Sequence, residues 1–293
     1  MKRSTSLFPT FFLLMLTMAC ASVKRPPFFE ARRGSQVVHV LGTIHIGIAA
    51  SELPDFVLHR FRAAPIFACE VTDEFSPTTN FESFEVDVIR RNMRENRRLS
   101  QRIRPEAWRK FLSLQAGQVP PEKVDFFPAR LALRYFNGLA SGNFQVTRAE
   151  YQKLNRSMDR ELFFDAQRGQ KKLMRLDTDD VMTDVCYARM FEAAVLSYEP
   201  DDASRLTKSL ERIDVLVERY KSGIEEESTY SRDITPEIRR CALEDRNFRW
   251  AQLLSASRDT HVFAAVGAGH LFGTENLLEF LRQRGFQVTR IER

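Results

Sequence analysis

Histidine is scarce in this chain, with five among 293 residues, and cysteine is scarcer still at four. No two cysteines stand at the short spacing of a structural zinc site. There is no His-Glu-x-x-His run and no Gly-x-Ser-x-Gly elbow. The helical zinc-peptidase motif and the serine nucleophile of an α/β-hydrolase are therefore excluded. No short-period repeat, low-complexity tract or comfortable membrane span occurs. Charge is also modest, at +5 formally. Much of it lies in one stretch holding Arg90, Arg91, Arg94, Arg97, Arg98, Arg102 and Arg104. That stretch has no interleaved aromatics and no groove-reading motif, so no nucleic-acid partner is expected. It reads as a solvated helix face, with an anionic membrane surface or an acidic partner as the other readings.

What is present begins with an export signal. Lys2 and Arg3 precede an apolar run from Leu7 to Met18, the length of a signal-peptide core. It ends in Leu16-Thr17-Met18-Ala19-Cys20, which resembles a bacterial lipobox with threonine at a position where leucine is commoner. We expect residues 1–20 to be a signal peptide with lipid attachment at Cys20, residues 21–27 a tether, and residues 28–293 a single domain. Ordinary cleavage near Ala19 or Ala21 and a retained anchor are the alternatives. Each places the domain outside the cytoplasm, in the cell envelope, on the periplasmic or surface side. Cys69 lies in an apolar strand and reads as a small buried hydrophobe. A Cys186–Cys241 disulfide is compatible with an oxidising compartment, but the sequence does not establish it.

The pattern of elements predicts an α/β fold. A hairpin, Phe28 to Arg32 and Gln36 to Thr43 about Gly34, leads into a helix from about Leu53 to Ala63. Ile66-Phe67-Ala68-Cys69-Glu70-Val71 follows as a strand. Strand, helix and strand at this length predict a βαβ unit with parallel, neighbouring strands. The C-terminal end repeats the plan, with a strand from His261 to Val266, a helix from Thr274 to Arg284 and a strand from Phe286 to Ile291. Between them lies a largely helical insertion, with prolines at 105, 120, 121 and 236 marking helix starts and a short strand at Lys172 to Leu176. The expected architecture is a mixed central sheet with N- and C-terminal βαβ units.

The chemistry concentrates in a doubled pattern. Gly42-Thr43-Ile44-His45 and Gly267-Ala268-Gly269-His270 each close a run of β-formers, so two of the five histidines sit just past strand ends. That is where open α/β sheets place their chemistry. Gly42, Gly267 and Gly269 let the chain turn tightly or approach other groups, and such turns also suit anions through backbone N–H groups. Glu70 ends a strand that otherwise looks buried on both sides, where a charge is costly unless paired or ligated. Asp73 and Glu74 stand nearby as substitutes. Two imidazoles and a carboxylate suit either a divalent metal that activates water, or a histidine base beside an orienting carboxylate without metal. The spacing leaves both open. Arg246 and Asn247, in Glu244-Asp245-Arg246-Asn247, are candidates to orient a carboxylate or a substrate oxygen. His39 and His59 read as structural.

These residues together resemble the TraB/GumN (TraB/PrgY/GumN, TIKI-type) family. The resemblance is carried by Gly42-Thr43-Ile44-His45 with Gly47, by Glu70, by Gly267-Ala268-Gly269-His270 with Gly273, and by Asp245-Arg246-Asn247-x-x-Trp250. It implies a fold similar to the erythromycin-esterase/ChaN-like group and a hydrolase activity. TIKI members are metal-dependent proteases of secreted proteins, and bacterial relatives are linked to peptide-pheromone inhibition. The resemblance therefore implies a metalloprotease-like enzyme of peptide or protein substrates, with Mn, Co or Zn held by His45 and His270 and with Glu70 as a further ligand or the general base. Leu176-Asp177-Thr178 and then Met182 stand where relatives have Leu-Glu-Thr and a downstream glutamine. A metal-free esterase-like hydrolase and a catalytically silent lipoprotein that binds peptide or polysaccharide are the other readings.

Overall fold

The computed structural model describes residues 23–70, 89–115, 120–142, 156–177, 181–199, 205–224, 235–258 and 260–292. Cys20, the signal segment, Asp73, Glu74 and Thr178 lie outside the described residues. So does the side chain of Met182. Strands β1 (Phe28–Arg33) and β2 (Gln36–Thr43) form the expected hairpin, with Gly34 at φ 58° in the turn. Helix α1 (Asp55–Ala63) and strand β3 (Ile66–Cys69) follow. The insertion supplies α2 (Pro105–Gln115), α3 (Ala129–Gly142), α4 (Met158–Arg168), strand β4 (Lys172–Arg175), α5 (Val181–Leu196) and α6 (Arg205–Ser222). The chain closes with α7 (Asp245–Ala256), β5 (His261–Gly267), α8 (Leu277–Gln283) and β6 (Gln287–Arg290).

Among the described residues the sheet runs in the order β4-β3-β5-β2-β1-β6. This makes the expected α/β fold, but it corrects the strand order. β2 and β3 are not neighbours; β5 lies between them, parallel to both. Likewise β6 does not lie beside β5, but pairs antiparallel with β1 at the far edge. Burial explains the arrangement. After His261 every residue of β5 is buried, so it needs covered faces and two flanking strands. β6 is only half-buried and suits an edge. Strand adjacency along the chain carries no information about which later strand slots between two earlier ones.

Alternation divides the core. Leu41, Phe67, Phe263 and Ala265 face a layer of α1, α4 and α6 through Phe61, Leu162, Phe163 and Tyr220. Val38, Val40, Ala68, Val262 and Ala264 face Trp250, Leu254, Leu277 and Leu281 from α7 and α8. A third cluster, centred on Phe111, Phe136 and Phe191, holds α2, α3 and α5 together, with Phe111 and Phe191 at 5.0 Å in edge contact. Each fully buried aromatic contributes on the order of 1.5–3 kcal/mol by leaving water. Cys186 on α5 and Cys241, in the turn that leads into α7, form a disulfide. Cys69 is buried and takes no part in the disulfide, and burial pushes its thiol up to about 12. The arginine-rich stretch is solvated, with Arg91, Arg94 and Arg97 exposed, while Arg98, Arg102 and Arg104 pair with Asp125, Asp184 and Glu192.

Candidate active site

β2, β5 and β3 run in one direction, so their carboxyl ends meet at one rim although β2 and β3 do not touch. Gly42 leaves that rim under a close crossing. A Cβ there would lie 2.8 Å from the Leu271 side chain and 3.2 Å from the Ala268 backbone, so a side chain at this position would force its neighbours to shift. Its carbonyl accepts a hydrogen bond from the Tyr220 hydroxyl at 2.6 Å. Gly267 marks the centre of the rim. A Cβ there would stand 3.2 Å from Glu70 Oε1, 3.3 Å from His45 Nε2 and 3.6 Å from His270 Cδ2. The three residues singled out from the sequence therefore surround one point.

Each is held by a different partner. The Glu70 carboxylate accepts the Gly267 N–H at Oε1 (2.5 Å) and an Arg246 N–H at Oε2 (2.8 Å). The anion that this glycine turn receives is thus the protein's own carboxylate. Burial alone would raise the Glu70 carboxyl, but Arg246, His270, His45 and the Gly267 N–H hold it well below the usual carboxylate range. His270 is buried, its ring tilted against Trp250 with centroids 4.3 Å apart and its Nδ1 2.7 Å from Asn247 Oδ1. The amide oxygen of Asn247 can only accept, so Nδ1 carries the proton and Nε2 presents a lone pair. That Nε2 lies 3.3 Å from Arg246 Nη1 and 3.7 Å from Glu70 Oε1. Burial, with the Arg246 charge in the same direction, pulls its pKa down to about 3.

His45 is the opposite case. Its side chain is 59% exposed against 5% for His270. Its Nδ1 faces Asp159 Oδ2 at 3.1 Å, while Asp159 Oδ1 accepts the Thr43 hydroxyl at 2.5 Å. The Asp159 carboxylate raises the imidazole to about 9 against the opposing effect of desolvation. Burial favours the neutral form of one histidine, and Asp159 favours the charged form of the other, which is exposed.

Arg246 ties the carboxylates together. Nε and Nη2 form a fork on Asp177, at 3.1 and 2.7 Å, and Nη2 also reaches Glu70. Its guanidinium lies 4.5 Å over the Trp250 ring, and Nη1 donates to the Ala242 carbonyl at 3.0 Å. Trp250 Nε1 donates to Asp177 Oδ1 at 3.0 Å. Asp177 arrives there because the β3–β4 pairing runs one step past the strands, with Leu176 N donating to Cys69 O and Asp177 N to Glu70 O. Of the expected supporting residues, Gly267, Asp177, Arg246 and Asn247 contact the site, Gly42 packs behind it against Leu271 and Ala268, and Gly269 lies in the short turn that delivers His270. His39, stacked at 5.8 Å on Phe28, and exposed His59 stand apart.

Sequence reasoning missed Asp159. It sits in the first turn of α4, where an acidic residue is ordinary because it complements the helix dipole. Thr43, inside the first Gly-x-x-His motif, carries no separate signal in the sequence.

The sequence model of the TraB/PrgY/gumN family matches residues 27–290, which encloses every residue of the site. The chain belongs to the TraB/PrgY/gumN family. Neither a curated protein nor a solved structure matches it significantly. The TraB/PrgY/gumN match runs from the start of β1 to the end of β6, so the strand ends that form the rim belong to the family region rather than to an addition.

Proposed function

We propose that this chain is a hydrolase of the cell envelope that cleaves peptide or protein substrates with His45, Glu70 and His270, holding one divalent ion of the Mn, Co or Zn class. The observation that carries this reading is the convergence of the three side chains on the space beside Gly267. The donor chemistry fits an ion of that class. Each imidazole is anchored through Nδ1 to an oxygen, of Asp159 or Asn247, which leaves Nε2 as the ligating nitrogen. Among the described residues, however, no group of three or more His, Cys, Asp or Glu side chains already stands at ligating geometry. When bound, a divalent ion supplies Lewis-acid polarisation of the scissile carbonyl and acidifies water. Glu70, kept ionised by Arg246, serves as a ligand rather than as a proton acceptor. Exposed His45 faces the side from which substrate enters.

One observation favours a second, metal-free reading. Arg246 already offers a cation 2.8 Å from Glu70 Oε2 and 3.3 Å from His270 Nε2. In that reading His45 keeps its proton at neutral pH and acts as the acid, not the base, while Arg246 stabilises developing negative charge. The envelope location is part of the proposal. Among the described residues no helix is long and apolar enough to cross a membrane. Lipid at Cys20 is the attachment we propose.

The test is hydrolysis of a fluorogenic peptide library by the purified chain, after chelation and after return of Mn²⁺, Co²⁺ or Zn²⁺. Activity that is lost on chelation, restored by one of the ions and abolished in His45→Ala supports the first reading. Activity indifferent to chelation supports the second. A folded chain with no hydrolysis under any condition, or full activity in His45→Ala, overturns both.

A further inference from the structure

The loop that delivers His45 is laced to the start of α4, more than a hundred residues later in the chain. Gly47 N donates to the Arg156 carbonyl at 2.8 Å, Ile48 bridges Ser157, and Ala50 N donates to Glu161 Oε2 at 2.8 Å. In the middle of this seam stands Asp159, buried, with both carboxylate oxygens in use. One accepts from the Thr43 hydroxyl, the other from His45 Nδ1. Thr43 is itself buried at the last position of β2. The chain of contacts therefore runs from the rigid sheet, through Thr43 and Asp159, to an imidazole whose other nitrogen is open.

We propose that Asp159 is the positioning residue of His45. Its carboxylate, braced by Thr43, keeps the proton on Nδ1, so that when the ring is neutral the free lone pair is the one on Nε2, the nitrogen beside Gly267. An ionised carboxylate is acceptor-only, so it admits no other tautomer at the nitrogen it faces. The free imidazole is under no such constraint. The role differs from that of Asn247 on His270. Asn247, on α7, stands in a sequence motif with Arg246 and Trp250. Asp159 comes from the insertion, and only folding brings it to the rim. This inference rests on the proposed reading only in that it supposes His45 Nε2 to be a working atom of the site.

The experiment is long-range ¹H–¹⁵N correlation on the chelated full chain labelled in histidine, at a pH where the His45 ring is neutral. Five histidines keep the spectrum simple, and His45→Ala identifies the pair of signals. The wild-type chain is expected to show a protonated Nδ1 and an unprotonated Nε2 at His45. In Asp159→Ala the two nitrogens are expected to exchange character wholly or in large part, with the His270 signals unmoved. A second readout is Co²⁺ titration, in which Asp159→Ala is expected to weaken uptake by about 10–100-fold, the usual cost of losing such a partner. A wild-type chain that takes up no Co²⁺ but keeps the Nδ1–H form retains Asp159 as the positioning residue and removes the ion from the proposed function. Neutral His45 with its proton on Nε2 in the wild-type chain overturns the inference without any variant. So does a folded Asp159→Ala chain with both the tautomer and the Co²⁺ affinity unchanged.

Discussion

Thr43 and Gly267 are partners across the parallel β2–β5 pair, so the two Gly-x-x-His turns leave the sheet side by side but one residue out of step. Gly42 sits against Val266 rather than against Gly267. The offset matters. It leaves Gly267, not a second side chain, at the centre of the rim, where it donates to Glu70 and makes room for His45 and His270.

Gly267→Ala should therefore disable the site while sparing the fold. The added methyl would sit 3.2 Å from Glu70 Oε1 and 3.3 Å from His45 Nε2, tight enough to push both aside. Overpacking of this kind costs about 1–3 kcal/mol in stability. Thermal unfolding should show a drop within that range, whereas hydrolysis or Co²⁺ uptake should fall at least tenfold. An alanine variant with unchanged function would remove Gly267 from the centre of the site.

Arg246→Met should destabilise the protein more severely than a surface change. It strands Glu70 and Asp177, two largely buried carboxylates that share one guanidinium. Removing one partner of a buried charge cluster costs about 3–5 kcal/mol. Urea unfolding would measure the loss. Because the penalty comes from the stranded charges, adding Glu70→Gln and Asp177→Asn should recover part of it. Failure to recover any would place the loss in packing on Trp250 instead.

Stability of the chelated protein should fall on both sides of about pH 6.5. His45 is raised from 6.5 to about 9, so the stability it contributes is complete below 6.5 and is lost as pH rises through 9. Solvent at its exposed ring screens the effect, so this slope should be shallow. His270 is lowered from 6.5 to about 3, so its contribution is complete above 6.5 and is lost as pH falls toward 3. Glu70 is also depressed, and adds to the loss below its ordinary value of 4.5. Melting temperatures across pH 3–10 would check this. His45→Asn should flatten the alkaline side alone.

Reduction of Cys186–Cys241 should lower stability by about 2–4 kcal/mol, the typical range for a disulfide. The bridge spans 55 residues and fastens α5 to the turn preceding Arg246. Guanidinium unfolding with and without reductant, beside the Cys186→Ala, Cys241→Ala double variant, would measure it. Equal midpoints would show that the bond does not form in solution.

Much of the rim was legible in the sequence because it is made of local signals. A run of β-formers that ends in Gly-x-x-His states both the strand and the place where the imidazole emerges. Glu70 declared itself by interrupting an apolar strand. Arg246 and Asn247 stood out as polar residues on an otherwise packed helix. The neighbour relations were not legible. The expectation that β2 and β3 lie side by side failed because β5, nearly two hundred residues later, is the strand apolar enough to be buried between them. Asp159 was invisible for a related reason. An aspartate in the first turn of a helix is ordinary, and nothing in its neighbours distinguishes one that caps from one that faces a histidine.

The sequence by itself determined the element types, the α/β class, the two histidines, Glu70 and membership of the TraB/PrgY/gumN family. Those depend on short-range periodicity and on motifs read within a few residues. The tertiary structure decided the strand order, the convergence on Gly267 and the unequal states of the two imidazoles. It could do so because those properties belong to pairs of residues that only packing brings together. Asp159 favours the charged form of one exposed histidine, and burial beside Trp250 and Arg246 favours the neutral form of the other.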